Sequence, residues 1–503
     1  RTIAVTCTVA ALVAFVLLAA PAPAAAQGHG HGHGHDKGDK ATLDLKPNLC
    51  PSPVAGQPLE QPKVIQADRY GVLQTRFVVD AVQYACVPQW DTDHWTTAPM
   101  RLRTYGTPRN EDPANLEWAL PGPTLRARKT YLADNTRPPG PDNPVVERGS
   151  RISLTLVNQL PNTTYPYDEC LPKTVTQTAA SNTCPNPPCT FVEQAPECFH
   201  GSEVTNLHYH GTHVSPQPHQ DFVLLNLYSA EQTYPAPPPH DEYNQVGTYQ
   251  YSIDPFPWNQ APGTHWYHPH KHGSTALQVA NGMSGALVIQ GPFDDWLYSL
   301  YGVDDSSLPS IERFEKIVIV QQLQEDLNFY DPAAAAVPQP TVNGQASPVI
   351  EMYPGEVQRW RFIGATVHAA GAMNVGFPEQ MVVRQIAQDG VQFASENYAR
   401  QPFVKKVQRT IAKARGSKEV VASLDEVSFG NYVISPGNRA DFLVKAPTAT
   451  GDYTLTFQLV HQNLADNVNK PFASRNALPS ATDDGDDSES DSTDSDTTAA
   501  AAA

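Results

Sequence analysis

Proline and glycine divide this chain into short segments that favour strands over helices. The 503 residues include 47 prolines and 31 glycines. Between these residues lie short runs rich in Val, Ile, Thr and Tyr, which is the composition of strands bounded by turns. The hydrophobic fraction of 40% is enough for ordinary folded cores. The pattern predicts an all-β protein of the sandwich or barrel type.

Two strand-like, aromatic segments each contain two histidines separated by one residue. The first contains His208 and His210, and the second contains His268 and His270. Residues two apart in a strand point to the same face, so each segment presents two imidazoles side by side. Neutral imidazole binds copper, zinc, iron or nickel, and four such rings could hold more than one ion. The pair of motifs therefore indicates a metal site, although one His-x-His alone would be weak evidence.

These motifs resemble the first two copper-binding motifs of the multicopper oxidases, the family of the laccases, ascorbate oxidases and copper-efflux oxidases. The resemblance runs from about Tyr70 to Leu459. Further segments that are similar to family patterns are Leu-Pro-Gly-Pro-Thr-Leu at 120–125, Gly-Met-Ser-Gly-Ala-Leu-Val-Ile at 282–289, Thr-Val-Asn-Gly at 341–344 and Ile-Ser-Pro-Gly-Asn-Arg-Ala-Asp at 434–441. The resemblance implies two cupredoxin-like Greek-key β-sandwich domains with copper as the cofactor.

The resemblance also implies roles for single residues. It assigns His208 to the type 2 copper and His210, His268 and His270 to the paired type 3 coppers, where dioxygen is reduced to water with electrons from a small reductant. Asp221 is the candidate catalytic residue, as a carboxylate that relays protons to oxygen. A loop-capping role for this aspartate is equally compatible with the sequence. Three nearby histidines are expected to form hydrogen bonds or structural contacts rather than to bind metal directly: His213, His265 and His272.

Half of the family's ligands are not found in this sequence. The third domain of the family normally supplies His-Pro-x-His-x-His and His-Cys-His runs, whereas no cysteine follows Cys198 here. A type 1 blue-copper site requires a thiolate, so the second domain cannot contain one. The Cys198-Phe199-His200 run lacks flanking ligands, and a disulfide explains its cysteine better. We therefore expect a multicopper oxidase that is incomplete in this chain and that shows neither blue colour nor substrate oxidation by itself.

Two alternatives from other functional classes stay open. One is a non-enzymatic secreted copper-binding protein, and the other is a catalytically dead cupredoxin module that binds a partner. The reductant is also open between phenols, aromatic amines and metal ions, because reductants of this family dock near the type 1 copper.

The sequence divides into five segments. An apolar run from Ile3 to Ala20 is followed by small residues that suit signal peptidase, although an uncleaved anchor is the alternative. The predicted segments are a signal peptide at 1–26, a Gly/His- and Pro-rich linker at 27–61, the first cupredoxin-like domain at 62–296, the second at 297–465 and an acidic low-complexity tail at 466–503. The N-terminal and C-terminal tails are both expected to be disordered. The protein is accordingly expected to be secreted or periplasmic, with no membrane association after cleavage.

Charge and cysteine content limit the partners. The formal net charge is −18, of which eight acidic residues between Asp483 and Asp496 contribute −8 and leave −10 elsewhere. This balance argues against nucleic acid or an anionic membrane surface as a partner. The six cysteines beyond the leader predict three disulfides of undetermined connectivity: Cys50, Cys86, Cys170, Cys184, Cys189 and Cys198. The tract from Gln27 to His35 is either a Cu(II)-binding terminus or a solvated linker.

Overall fold

The computed structural model is composed mainly of β-strands joined by turns. It describes residues 3–9, 56–91, 94–110, 112–134, 136–161, 173–177, 188–193, 201–231, 241–325, 340–367, 372–394 and 431–459. Within these residues there are 27 strands and three short helices. The all-β prediction is confirmed.

The N-terminal part contains seventeen strands and one helix. In chain order they are β1 (Ile3–Val9), β2 (Val64–Gln66), β3 (Val72–Asp91), β4 (His94–Arg109), β5 (Asp112–Ala119), β6 (Gly122–Arg128), β7 (Tyr131–Leu132), β8 (Val145–Glu147), β9 (Arg151–Asn158), β10 (Lys173–Gln177), β11 (Cys189–Glu193), β12 (His208–His210), β13 (Asn226–Tyr228), β14 (Asn244–Val246), β15 (Thr248–Ile253), β16 (Gly263–His268), α1 (Thr275–Ala280) and β17 (Gly285–Gln290).

Two five-stranded sheets form the first domain. Their strand orders are β15-β9-β3-β4-β5 and β12-β16-β17-β6-β2. Strand β15 alternates between exposed and buried residues, as expected where one face of a sheet meets the core. Side chains from both sheets share one hydrophobic core, which includes Phe77, Tyr105, Leu154, Tyr209 and Leu287.

The C-terminal part contains two helices and ten strands. In chain order they are α2 (Pro292–Tyr301), α3 (Leu308–Phe314), β18 (Glu315–Gln321), β19 (Thr341–Val342), β20 (Val349–Met352), β21 (Val357–Ala365), β22 (Met373–Gly376), β23 (Val382–Gln388), β24 (Val391–Gln392), β25 (Asn431–Ile434), β26 (Arg439–Lys445) and β27 (Asp452–Leu459). They build sheets of the order β19-β18-β21-β26-β23-β24 and β20-β1-β27-β22-β25 around a second core.

The helix α2 was not predicted from the sequence, although its boundaries carry recognisable signals. Pro292 occupies the first turn, where its missing N–H costs nothing. Gly302 ends the helix in the left-handed conformation with φ of 65°. The sequence also suggests a short helix or a loop at 414–424, and this segment lies outside the described residues.

Strand β1 lies within the segment predicted to be a signal peptide. It pairs antiparallel with β20 and parallel with β27, between two strands of the second domain. The run Ile-Ala-Val-Thr-Cys-Thr-Val is apolar and rich in β-branched residues, a composition that suits a strand as well as a leader. The leader therefore stays a prediction, and strand formation at this position was not expected.

Several other predictions fall where the structure gives no description. The Gly/His tract, the residues beyond Leu459 and four of the six cysteines lie outside the described residues, and the side chains of Cys86 and Cys189 are likewise not described. No helix among the described residues is long and apolar enough to cross a bilayer.

The two domains meet through an apolar layer behind the histidine strands. Side chains of the first domain, such as Trp266 and Val288, pack with Ile317 and Ile363 of the second. Beside this layer lies a cluster of six buried charged residues, here called the interdomain ion network. Its members are Arg126, Asp294, Glu315, Arg359, Arg361 and Asp441.

Arg361 is the centre of this network. Its guanidinium donates to Glu315 at 2.6 Å, to Asp294 at 2.9 Å and to Asp441 at 3.0 Å. Arg359 also donates to Asp294 and Asp441, each at 2.6 Å. Three positive and three negative groups thus compensate one another in a region that water does not reach, which is the condition for burying charge.

We predict that Arg361→Met destabilises the protein strongly. The substitution leaves only Arg126 and Arg359 to compensate three buried carboxylates, and breaking one partner of a buried pair costs about 3–5 kcal/mol. Lys63→Met is the control, because the Lys63–Glu117 pair is 43% and 41% exposed and should contribute no more than about 1 kcal/mol. Urea denaturation of both variants measures the difference, and equal midpoints would contradict the prediction.

Acid should weaken the same network. Burial alone would raise the pKa of Asp294 and of Glu315, but the neighbouring arginines hold each pKa below its usual value. Such carboxylates stabilise the fold fully above their unfolded pKa values, near 4, and this contribution is lost as the pH falls through the lower folded values. We expect the thermal midpoint to drop below about pH 4, and to drop less steeply in Glu315→Gln.

Candidate metal centre

The histidine motifs lie opposite each other on two paired strands. Strands β12 and β16 are antiparallel, with His208 opposite His268 and His210 opposite Trp266. One potential ligand atom each from His208, His210 and His268 lies within 4.8 Å of the other two. The strand pairing thus brings together three of the four imidazoles that the sequence singled out.

The fourth imidazole belongs to the cluster by position but not by secondary structure. Strand β16 ends at His268, because Pro269 has no N–H with which to continue the ladder. The expectation that His268 and His270 lie side by side on one strand is therefore wrong. The backbone N–H of His270 instead donates to Asn206 Oδ1 at 2.6 Å, and its ring centroid lies 4.9 Å from that of His208.

Asp221 holds the ring of His208. Its carboxylate oxygens lie 2.9 and 3.0 Å from His208 Nδ1, and one of them accepts the backbone N–H of Tyr209 at 2.8 Å. A carboxylate beside Nδ1 favours the tautomer that carries its proton there and leaves the lone pair on Nε2. The neighbouring aspartate thus leaves His208 Nε2 free as an acceptor, which is the form in which a histidine can bind a metal ion.

His268 is fixed in the same sense by the main chain. Its Nδ1–H donates to the Pro269 carbonyl at 2.8 Å, so its Nε2 is the free acceptor. This Nε2 lies 3.2 Å from His210 Nδ1. Two neutral ring nitrogens at this separation suit a shared metal ion, because metal–nitrogen bonds of about 2 Å place adjacent ligand atoms about 3 Å apart.

Burial favours the neutral form of three of these rings, those of His210, His268 and His270. Burial lowers the pKa of His268 well below its usual value, and the neighbouring His208 lowers it further. Burial, followed by the positive charge of Arg439, lowers the pKa of His210 to about 4. Burial also lowers the pKa of His270. Neutral imidazole is the metal-binding form, so the cluster is ready to bind metal at neutral pH.

The remaining histidines of the two motifs lie elsewhere. His213 Nδ1 contacts the Asn259 carbonyl at 2.9 Å. His265 is fully buried, and its Nε2 contacts the Ala261 carbonyl at 3.0 Å. Among the described residues, the group that could hold a metal ion is formed by His208, His210 and His268, and it does not include His213, His265 or His272.

Two contacts of the cluster were not anticipated. Trp266 packs against His268 with ring centroids 4.1 Å apart. Asn206 donates to the Val223 and Leu225 carbonyls while it accepts the N–H of His270. Trp266 could have been found from its place within the motif, but the sequence offered no signal that Asn206 would lie beneath His270.

Comparison with known families identifies the part of the chain that carries this site. Residues 200–293 match the family model described as multicopper oxidase. This segment matches the multicopper oxidase family. It contains both His-x-His motifs and Asp221, so the resemblance inferred from the histidines is confirmed here. No curated protein matches the chain significantly.

Solved multicopper oxidases resemble the chain at low sequence identity. McoA from Aquifex aeolicus is 14% identical with a TM-score of 0.41, and the match covers 81% of this chain and 65% of that protein. A laccase from Pediococcus acidilactici is 16% identical with a TM-score of 0.41, covering 81% and 62%. A multicopper oxidase from Campylobacter jejuni, described as a metallo-oxidase, is 14% identical with a TM-score of 0.40, covering 82% and 64%. The chain thus spans less than two-thirds of the length of each.

We predict that Asp221→Asn weakens copper binding about 10- to 100-fold. An amide nitrogen facing His208 Nδ1 would donate a hydrogen bond to it, which moves the ring proton to Nε2 and removes the lone pair that faces the other histidines. Asp241→Asn is the control, because Asp241 also accepts loop N–H groups but is exposed and outside the cluster. Competition with a copper chelator measures both variants. Equal affinities would indicate that Asp221 is a loop cap only.

Proposed function

We propose that the protein is a copper-dependent oxidoreductase of the multicopper oxidase type, which oxidises phenolic or metal-ion substrates and reduces dioxygen to water. The observation that carries this proposal is the convergence of three imidazoles from β12 and β16 at a spacing that suits metal ions. The four histidines are half of the ligand set that the family resemblance implies. The remaining ligands and the electron-entry site would have to come from outside the residues of this sequence.

The donor set fits copper. Imidazole is a ligand of intermediate softness that binds both oxidation states of copper, and no charged ligand lies among the clustered donors. His208, His210 and His268 would hold the metal, with His270 beside them. Bound copper would supply the one-electron steps that dioxygen reduction requires.

Asp221 and the Pro269 carbonyl orient the histidine rings, and Asp221 could also transfer protons. Asp221 keeps a proton on His208 Nδ1, and the Pro269 carbonyl does the same for His268. The Asp221 side chain is 14% exposed, so one side of it reaches solvent. It can take up a proton from water and hold it at a carboxylate oxygen beside His208. This is the proton-relay role that we propose for Asp221, in addition to its contact with the ring.

A non-enzymatic copper-binding protein is the second candidate. The grouped ring nitrogens of His208, His210 and His268 could hold copper by themselves, which is all that this candidate requires. Export to a secreted or periplasmic location belongs to both candidates and rests on the predicted leader.

Copper loading of the purified chain tests the proposal. We expect copper to bind, and we expect His208→Ala combined with His268→Ala to abolish binding at the cluster, because two of the three grouped donors are lost. His213→Ala is the control, since this ring contacts a loop carbonyl outside the group. Metal analysis after gel filtration gives the stoichiometry. Copper retention by the double variant equal to that of His213→Ala would contradict a metal site at β12 and β16.

Oxygen uptake separates the two candidates. If the remaining ligands and the type 1 site are supplied from outside this sequence, the copper-loaded protein should consume oxygen in the presence of phenolic or metal-ion reductants. Blue absorbance should then accompany oxygen consumption. By itself, the chain of this sequence is expected to bind copper without a strong thiolate-to-copper absorption band. A strong band would contradict the assignment of an absent type 1 site.

A further inference from the structure

The segment from Ile434 to Asp441 was recognised in the sequence as a family-like landmark, but no role followed from it. In the structure it lies against the back of the histidine cluster. A Cβ atom added to Gly437 would lie 3.6 Å from His210 Cε1 and 3.8 Å from Trp266 Cζ2, which is van der Waals distance. The second domain therefore contacts a proposed copper ligand of the first.

Arg439 brings a positive charge to this contact. Its side chain is 4% exposed and donates to three carbonyls: Nε to Thr264 at 3.3 Å, Nη1 to Gly437 at 3.0 Å and Nη2 to Asp389 at 2.9 Å. The Asp389 carboxylate lies 3.5 Å away as its ion-pair partner. Arginine stays charged in proteins, so a buried cation is present at every physiological pH.

The guanidinium also touches the main chain beside a ligand. Gly211 follows His210 directly, and a Cβ atom there would lie 2.5 Å from Arg439 Nη2 and 2.7 Å from His265 Nδ1. Only a glycine allows this approach, and its φ of 91° also favours glycine. Arg439 and His265 thus pack against the residue that fixes where the backbone of His210 turns.

We propose that Arg439 and Asp389 are positioning residues of the metal centre, which act from the second domain to fix the backbone beside His210 and to set the preference of the site between Cu(I) and Cu(II). This inference rests on the proposed copper function. The two residues touch neither substrate nor metal; their effect passes through the Gly211 contact and through the electrostatic potential.

The direction of the effect follows from the charges. A buried cation near the site disfavours the doubly charged ion more than the singly charged one, so Arg439 favours Cu(I). Asp389 has the opposite sign but is 39% exposed, and solvent screens its effect more strongly. The same two charges act in opposite directions on the pKa of His210: Arg439 lowers it and Asp389 raises it, after the larger effect of burial.

The other groups around the guanidinium do not cancel its charge. Burial lowers the pKa of His265 to about 4, so this ring is neutral at physiological pH. Asp441 accepts hydrogen bonds from Arg359, Arg361 and Thr264 within the interdomain ion network. Asp389 is therefore the carboxylate that forms the ion pair with Arg439.

The experiment compares the Cu(II) and Cu(I) dissociation constants of the full-length chain by competition with one chelator specific for each ion. In Arg439→Gln, the ratio of the Cu(II) Kd to the Cu(I) Kd should fall about tenfold, as expected for loss of a buried unit charge near the metal. A tenfold change corresponds to about 59 mV for a one-electron couple. Arg439→Lys keeps the charge and should restore the ratio to within about twofold of the unaltered chain.

Asp389→Asn provides an independent test if Arg439→Gln does not fold. Asparagine keeps the acceptor for the Arg439 backbone N–H but removes the negative charge, so the ratio should rise about two- to threefold. A merely structural role for these residues would not produce opposite shifts. Arg313→Gln is the matched control, because it removes a second-domain cation paired with Glu356, and its ratio should not change.

The outcomes separate this inference from the proposed function. If the unaltered chain binds copper and the folded charge variants show the same ratio of the Cu(II) Kd to the Cu(I) Kd, the inference is overturned while the proposed function stands. An equal shift in Arg313→Gln also overturns it, because the effect would then reflect net charge. If the unaltered chain binds no copper, the proposed function fails and the inference fails with it.

Discussion

Hydrogen bonds between Thr264 and the second domain connect that domain to β16, the strand that ends at His268. The hydroxyl of Thr264 donates to Asp441 and accepts from Arg361, and its carbonyl accepts from Arg439. Thr264 lies four residues before His268 on β16, so the strand that presents a proposed ligand is fixed by charges of the other domain. Its ladders with β12 and β17 hold β16 within the sheet of the first domain, and these three contacts tie the same strand to the second domain.

The metal centre combines two kinds of preparation. Hydrogen bonds that the rings donate to the Asp221 carboxylate and to the Pro269 carbonyl orient His208 and His268, whereas burial favours the neutral form of His210, His268 and His270. Because the donors carry no charge, bringing them together does not create the repulsion that clustered carboxylates would. The cost is desolvation of polar ring nitrogens, and a bound metal would offset that cost directly.

Local patterns predicted much of this arrangement. The short runs rich in Val, Ile, Thr and Tyr between prolines and glycines predicted a chain built of strands, and the His-x-His spacing predicted the shared face of His208 and His210 on β12. The error at His270 has a local cause, since Pro269 ends the strand that the spacing assumed. Helix α2 was missed although Pro292 and Gly302 mark its ends.

What the sequence did not provide was contact between distant segments. Asp221 was named as a candidate, but only the fold shows it touching His208. Arg439 belonged to a recognised motif, yet its approach to Gly211 depends on how the two domains pack. Gly211 of the first domain and Gly437 of the second both lie at this contact. Residue propensities and spacings describe local structure only, so they do not indicate which loop of one domain contacts a strand of the other.

The long sequence separation within the Thr264 contact also bears on how the protein is made. Thr264 and Asp441 are 177 residues apart, and at synthesis rates of about 5–20 residues per second the second partner emerges roughly 9–35 s after the first. During that interval Thr264 lacks its second-domain contacts, although β16 can already pair with β12 and β17 and the core of the first domain can form. The contacts of Arg439 and Asp441 with the histidine strand would therefore be among the last to form, after the candidate metal ligands themselves have been brought together by β12 and β16.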